Sequence, residues 1–231
     1  MNIELLELAA SVLGELTEDV VFVGGATVGL WISDPAAPPV RATDDVDVVV
    51  EVTTRTEFYE FEAKLRAFGF SEDQRDGVIC RWRHLKTALI LDAMPSRADI
   101  LGFENEWQGR ALPHALERRL PSGATIRAAP PAYMLAMKLE AFKGRGNRDF
   151  LASRDFSDIV TLVDGRPELR DELRVADESV RIYVGREVAR LMEDPRLMDG
   201  LAGAMRGDAV SQDRVDLVVL PILRDLANLG G

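Results

Sequence analysis

The chain has 231 residues, of which 47% are hydrophobic and 29% charged, and its formal net charge is −11 at pH 7. This composition is typical of a globular protein with one large or two small domains, and its acidity excludes a surface that coats nucleic acid broadly. A lone cysteine, Cys80, excludes an internal disulfide. No apolar run is long enough to span a membrane, and the acidic N-terminus is unlike a signal peptide, so we expect a cytoplasmic protein.

Helical and strand patterns alternate in the first half of the chain. Periodicity predicts a helix over residues 2–16, a buried strand over 19–24, a helix over 25–33, a proline-rich loop, and a strand over 44–52. A helix over 55–67 follows, with Thr53 or Thr54 as its cap and Gly69 as its stop. Strands over 78–84 and 87–93 are predicted to form a hairpin, and another strand is expected over 124–128.

The second half of the chain has helical periodicity almost throughout. Two prolines, Pro130 and Pro131, precede a run of helix formers and are typical of a helix start. We therefore predict two domains, an α/β domain over residues 1–129 and a helical domain over residues 130–231.

Two carboxylates, Asp45 and Asp47, lie one residue apart in a valine-rich strand pattern. Residues i and i+2 of a strand point to the same face, so these side chains are expected to lie together while the valines enter the core. Like charges in such proximity repel, and Mg²⁺ prefers oxygen ligands of this kind. The sequence therefore predicts a metal site here, the alternative being two solvated acids at a strand edge.

A glycine pair, Gly24-Gly25, stands where the predicted strand passes into a helix. Such a turn lets backbone N–H groups approach a ligand, and the helix N-terminus adds partial positive charge, so the turn suits a phosphate. Thr27, in the following helix, belongs to the predicted nucleotide-binding set. The alternative is a tight turn that needs glycine for its backbone conformation alone.

A third carboxylate, Asp92, ends the apolar run Ala88–Leu91. Functional side chains often lie at strand ends, although Asp92 could instead form a turn, and Asp99 competes for the same role. A phosphate-binding turn beside three strand-borne carboxylates is equipment for metal-assisted phosphoryl or nucleotidyl transfer.

At these residues the chain resembles the DNA polymerase β-like nucleotidyltransferases, and more closely their AbiEii/MenT branch of bacterial toxins. The resemblance implies an α+β fold in which a small mixed β-sheet core is flanked by helices and followed by a C-terminal helical domain. It also matches a helical lysine motif at Lys138 and an acidic motif that contains Asp155 and Asp158. Lys138 would contact the triphosphate. Either acid could be the functional one, with Asp158 slightly favoured. A solvent-directed lysine and surface charge pairing are the alternatives.

The implied activity is Mg²⁺-dependent transfer of NMP from an NTP to an acceptor hydroxyl. Asp45, Asp47 and Asp92 would hold two ions, with Mn²⁺ as a substitute, and Gly24, Gly25 and Lys138 would bind phosphates. The resemblance further implies that the acceptor is the 3′ end of tRNA and that an antitoxin encoded alongside is a partner. Alternatives are a small hydroxylated acceptor, as aminoglycoside nucleotidyltransferases use, and a lapsed nucleotide-binding module.

Overall fold

The chain forms two compact units, seen in a computed structural model that describes residues 2–73, 75, 78–102 and 105–230. The first unit consists of Met1–Leu30 and Ala42–Pro130, and the second of Trp31–Arg41 and Pro131–Gly231. The second unit therefore includes a short segment, Trp31–Arg41, from the first part of the sequence.

The first unit is built on a mixed β-sheet, which confirms the predicted fold class. Within the described residues seven strands join this sheet in the order β3-β4-β5-β2-β1-β7-β6. Strands β2 and β5 pair in parallel, as do β1 and β7, and the other neighbours are antiparallel. The strands are β1 (Val20–Val23), β2 (Val46–Val50), β3 (Phe70–Glu72), β4 (Arg81–His84), β5 (Ile90–Pro95), β6 (Leu116–Arg119) and β7 (Thr125–Ala128).

Strand β2 lies near the middle of the sheet, and its valines are buried on both faces. Asp47 is the half-buried residue in this otherwise buried strand. A carboxylate in such a position must be compensated by hydrogen bonds or by positive charge, so the strand's packing already marks Asp47 as unusual.

Along the sequence of the first unit, helices precede the strands or lie between them. The α-helices are α1 (Asn2–Leu13), α2 (Gly24–Thr27), α3 (Arg55–Ala67), α4 (Ala98–Leu101) and α5 (Glu106–Ala111). Short 3₁₀ turns cover Gly14–Asp19, Val28–Leu30 and Leu112–His114. In α3 the Thr54 side chain accepts from the Glu57 N–H while the Glu57 side chain accepts from the Thr54 N–H, a reciprocal cap that fixes the helix start.

The second unit is helical. Its α-helices are α6 (Pro131–Lys143), α7 (Arg154–Gly165), α8 (Leu169–Val175), α9 (Glu178–Met192), α10 (Leu197–Ala204), α11 (Ala209–Arg214) and α12 (Leu220–Ala227), with a π-helical turn over Val215–Val219. Phe142, Phe150 and Phe156 pack as an aromatic cluster with ring centroids 4.8–5.2 Å apart. Among the helices of the described chain, none is both long and apolar enough to cross a membrane.

Several predicted elements are confirmed, and others differ from the prediction in their bounds. Helix α3 occupies the predicted residues, Gly69 ends it with φ of +86°, and β4 and β5 form the predicted hairpin. The first α-helix ends at Leu13, and the helix predicted over 25–33 is α-helical only to Thr27. Strands β3 and β6 were not predicted.

Candidate active site

The register of the central strands places acidic side chains in one row. Asp47 pairs with Asp92 across β2 and β5, and Asp92 pairs with Arg81 across β5 and β4. Directly paired residues on neighbouring strands project from the same face of a sheet. Asp47, Asp92 and Arg81 therefore share a face, where two of the three predicted carboxylates lie on adjacent strands.

Asp45 lies immediately before β2, which begins at Val46 rather than at the predicted residue 44. Its Oδ1 accepts a hydrogen bond from the Thr43 hydroxyl at 2.7 Å, and its Oδ2 accepts from Arg81 Nη2 at 2.8 Å. These contacts hold the carboxylate in a defined direction although it stands outside the strand ladder.

Gly24 lies against the Asp47 carboxylate. Its φ is +74°, and a Cβ atom built on it would stand 1.9 Å from Asp47 Oδ2. Any other residue at position 24 would therefore collide with the carboxylate and would also be strained in the left-handed region. The structure thus brings the glycine turn and one carboxylate of the Asp-x-Asp motif together.

The other residues of the predicted phosphate turn are more enclosed. Gly25 and Thr27 are buried, and the Thr27 hydroxyl donates to the Gly24 carbonyl at 3.0 Å. Gly24 is partly exposed. The Thr27 hydroxyl therefore supports the turn, and Gly24 is the member of the set that solvent can reach.

Arg81 connects two of the carboxylates, a contact that sequence reasoning did not find. Its Nε donates to Asp92 Oδ1 at 2.8 Å, and its Nη2 reaches Asp92 Oδ2 at 2.7 Å and Asp45 Oδ2 at 2.8 Å. In the sequence Arg81 stands near two other basic residues, Arg83 and Lys86, and nothing local singles it out as a partner of the carboxylates. The hairpin register, which pairs Arg81 with Asp92, is the signal that could have revealed it.

Over the part of the chain that the structure describes, no three His, Cys, Asp or Glu side chains are grouped closely enough to hold a metal ion. The chemistry of the donor set nevertheless fits one, because carboxylates supply the hard oxygen atoms that suit Mg²⁺ and because Asp45 and Asp92 lie close enough to share one cation, here the Arg81 guanidinium. Because Gly24 has no Cβ, the Asp47 carboxylate can lie directly against the glycine turn.

Cys80 precedes Arg81 in the sequence, and the pKa of its thiol is affected by two of the same carboxylates. Burial, together with the negative charges of Asp92 and Asp47, raises the pKa of its thiol to about 12. The thiol is therefore neutral at physiological pH, a form that is a weak nucleophile.

Asp99, the competitor of Asp92, lies elsewhere. It is exposed in α4 and accepts hydrogen bonds from Arg97 at 2.8 and 3.0 Å. Asp92, by contrast, is buried in the row of β5, so the geometry favours Asp92 over Asp99 as the partner of Asp47.

In the second unit, Lys138 and the acidic motif meet. Lys138 Nζ lies 2.6 Å from Asp158 Oδ2 and 3.1 Å from Asp155 Oδ1, and all three residues are buried. Arg145 donates to both oxygens of Asp155 at 2.9 and 3.0 Å, and Arg41 reaches Asp158 Oδ1 at 3.4 Å. The lysine therefore does not direct its head to solvent, and both acids of the motif contact it.

The surroundings of Asp155 favour its ionised form. Burial by itself raises the pKa of Asp155, but the Arg145 hydrogen bonds and the charge of Lys138 outweigh it, so the pKa lies below its ordinary value. Asp155 is consequently a carboxylate at neutral pH and holds the ammonium group of Lys138 in place.

A mixed sheet with carboxylates on paired central strands, beside a glycine turn, has the features expected of a nucleotidyltransferase core. The family described as nucleotidyl transferase AbiEii toxin, type IV toxin–antitoxin system, matches the sequence over residues 8–216. The chain belongs to this family and is a nucleotidyltransferase, for which the family implies an NTP substrate and an antitoxin partner. Comparison with curated proteins finds none that matches the sequence.

Proposed function

We propose that this protein is a Mg²⁺-dependent toxin that transfers NMP from an NTP to the hydroxyl at the 3′ end of tRNA. The proposal is supported above all by the Asp47–Asp92 register beside Gly24 in a chain of the AbiEii family. Addition of nucleotides at that end would block aminoacylation, and an antitoxin encoded alongside would restrain the enzyme. The tRNA and the MenT-like action rest on the family resemblance.

Asp45, Asp47 and Asp92 would hold the metal, as two Mg²⁺ ions or Mn²⁺ in their place. When bound, the metal neutralises phosphate charge and lowers the pKa of an attacking hydroxyl. Carboxylates suit this task because they are hard, anionic ligands, and here they come from one short motif and a neighbouring strand.

The chain's own groups have separate tasks in the proposed reaction. Asp92 accepts the proton of the acceptor hydroxyl, which attacks the α-phosphorus in line while pyrophosphate leaves. The backbone at Gly24 and Gly25 binds phosphate oxygens. Lys138 supplies positive charge to the β- and γ-phosphates, and Asp155 and Asp158 orient its ammonium group.

The test is incubation of the purified protein with α-labelled NTPs, Mg²⁺ and total tRNA, resolved on a denaturing gel. Label is expected in tRNA with the wild type. Asp47→Asn should lower the rate by at least ~10³-fold, because metal-based charge stabilisation is worth several kcal/mol. Asp44→Asn is the matched control, since Asp44 is the adjacent acid and is exposed. Wild-type transfer by Asp47→Asn would refute the assignment.

A small hydroxylated, cationic acceptor is the second candidate. The net charge of −11 favours it, because an acidic surface repels a polynucleotide and attracts a small cation. Label that appears in an aminoglycoside-like compound but not in tRNA, under the same conditions, would select this acceptor and leave the nucleotidyl transfer itself unchanged.

A further inference from the structure

Arg81 occupies the oxygen atoms that a metal would need. Both oxygens of Asp92 accept from its guanidinium, at 2.8 and 2.7 Å, and so does Asp45 Oδ2, at 2.8 Å. The fourth oxygen, Asp45 Oδ1, accepts from the Thr43 hydroxyl at 2.7 Å. Every carboxylate oxygen of Asp45 and Asp92 thus already has a hydrogen-bond donor.

The position of Arg81 is fixed by the sheet rather than by a flexible surface contact. It begins β4, directly opposite Asp92, and its side chain is 15% exposed while that of Asp92 is 8% exposed. Two carboxylates that contact the same side chain lie close enough to repel each other unless a cation lies between them. The guanidinium, which presents several donors in one plane, suits this bridging position.

We propose that Arg81 is an internal counter-cation that competes with the divalent metal for Asp45 and Asp92. It stabilises the metal-free protein, and its guanidinium must leave at least one of the two carboxylates when the metal binds. This inference rests on the proposed function, because it concerns the same carboxylates. It adds to that function a built-in control of metal affinity.

Arg83 provides a matched control on the same strand. It stands two residues after Arg81, and its Nη2 lies 2.8 Å from Asp73 Oδ2. It therefore resembles Arg81 in residue type, strand and ion pairing, but its partner Asp73 is not one of the three proposed metal ligands. A substitution at position 83 controls for the general effect of removing a paired arginine from β4.

The test measures Mn²⁺ binding by titration calorimetry, without nucleotide, in the full-length protein. Arg81→Met should bind Mn²⁺ about tenfold more tightly than the wild type, because the metal no longer displaces or faces a positive charge on its ligands. Arg81→Lys, which keeps the charge but not the planar fork, should lie between them, and Arg83→Met should equal the wild type. Equal or weaker binding by both Arg81 variants would overturn the proposal.

Thermal unfolding in EDTA and in Mn²⁺ gives a second measurement on the same variants. Arg81→Met should melt at a lower temperature than the wild type in EDTA and should gain more from Mn²⁺. If this variant does not fold without metal, Arg81→Lys carries the test. Failure of every form to bind Mn²⁺ would contradict the metal-dependent function as well, whereas equal binding by all forms would contradict only the role of Arg81.

Discussion

Single residues decide whether the carboxylate row can form, and Gly24 shows this most directly. Because its φ is +74° and a Cβ would meet Asp47 Oδ2 at 1.9 Å, Gly24→Ala combines backbone strain with displacement of the carboxylate. We expect strain of roughly 1–2 kcal/mol in the free energy of unfolding, plus a further loss from the collision. Urea unfolding measures both together.

Gly123→Ala is the control for that experiment. Gly123 has φ of +91°, but its Cβ would find only Arg119 Nη2, at an ordinary 3.8 Å. This variant should therefore show the strain without the collision. If the two variants lost the same stability, the close approach of Gly24 and Asp47 would be wrong.

The buried acid Asp155 predicts a pH dependence. Its pKa is lowered in the folded protein, so it adds stability above the unfolded-state value of about 3.9 and loses that contribution as pH falls through the folded-state value. Asp155→Asn should lower the free energy of unfolding by about 1–3 kcal/mol at neutral pH, because hydrogen bonds from charged donors are lost.

Below a pH of about 4 the difference in free energy of unfolding between wild type and Asp155→Asn should become smaller, because the wild-type carboxylate becomes protonated. Urea unfolding at several pH values measures this gap. Asp44→Asn, which removes an exposed carboxylate outside the cluster, is the control. A gap that widens on acidification would contradict the ionised state of Asp155.

Sequence alone predicted the residues of the row but not their pairing. Asp45 and Asp47 could be identified from their two-residue spacing, and Asp92 from the apolar run before it, because these are local features. The expectation that Asp92 ends its strand was wrong, since β5 continues to Pro95. The link from Arg81 to Asp92 depends on the register between β4 and β5, and register is set by the packing of a whole sheet rather than by neighbouring residues. The sequence could not choose between Asp155 and Asp158 for a different reason: both contact Lys138, and this contact joins two separate helices, α6 and α7.

At the scale of an element, local capping explains why α3 was predicted accurately. Thr54→Ala removes the acceptor for the Glu57 N–H and should lower the free energy of unfolding by about 1 kcal/mol. Urea unfolding checks this value. Thr56→Ala, an exposed change in the first turn of the same helix, should have a clearly smaller effect. Equal effects would show that the cap contributes no specific stability.

The helix predicted over residues 25–33 is α-helical only to Thr27, and distant parts of the chain form hydrogen bonds with the backbone of residues 30–34. Arg118 donates to the Leu30 carbonyl at 2.6 Å in the first unit. In the second unit Arg166 donates to the Trp31 carbonyl at 2.8 Å, and the Ser33 and Asp34 N–H groups reach the Gly165 carbonyl. Such long-range contacts can override a local helical preference. Sequence periodicity reports only on neighbouring residues and therefore does not predict them.

At the scale of the whole molecule, net charge bears on the choice of acceptor. If the protein contacts about four phosphates of a tRNA, its affinity for the tRNA should fall roughly 50-fold between about 50 and 200 mM salt, because condensed counterions are released on binding. The salt dependence of the apparent KM for tRNA in the labelling assay measures this. A small cationic acceptor should show a much weaker dependence, and a flat response with tRNA would contradict direct polynucleotide binding.

The early segment Trp31–Arg41 belongs to the helical unit, and Arg214 contacts Asp34 at 2.6 Å from 180 positions away in the chain. A nascent polypeptide therefore cannot complete this unit until residue 214 has left the ribosome. Translation that stops before α11 releases a fragment in which Asp34 lacks its contact with Arg214. For a protein of a toxin family, this order of assembly delays the complete fold until nearly all of the chain has been synthesised.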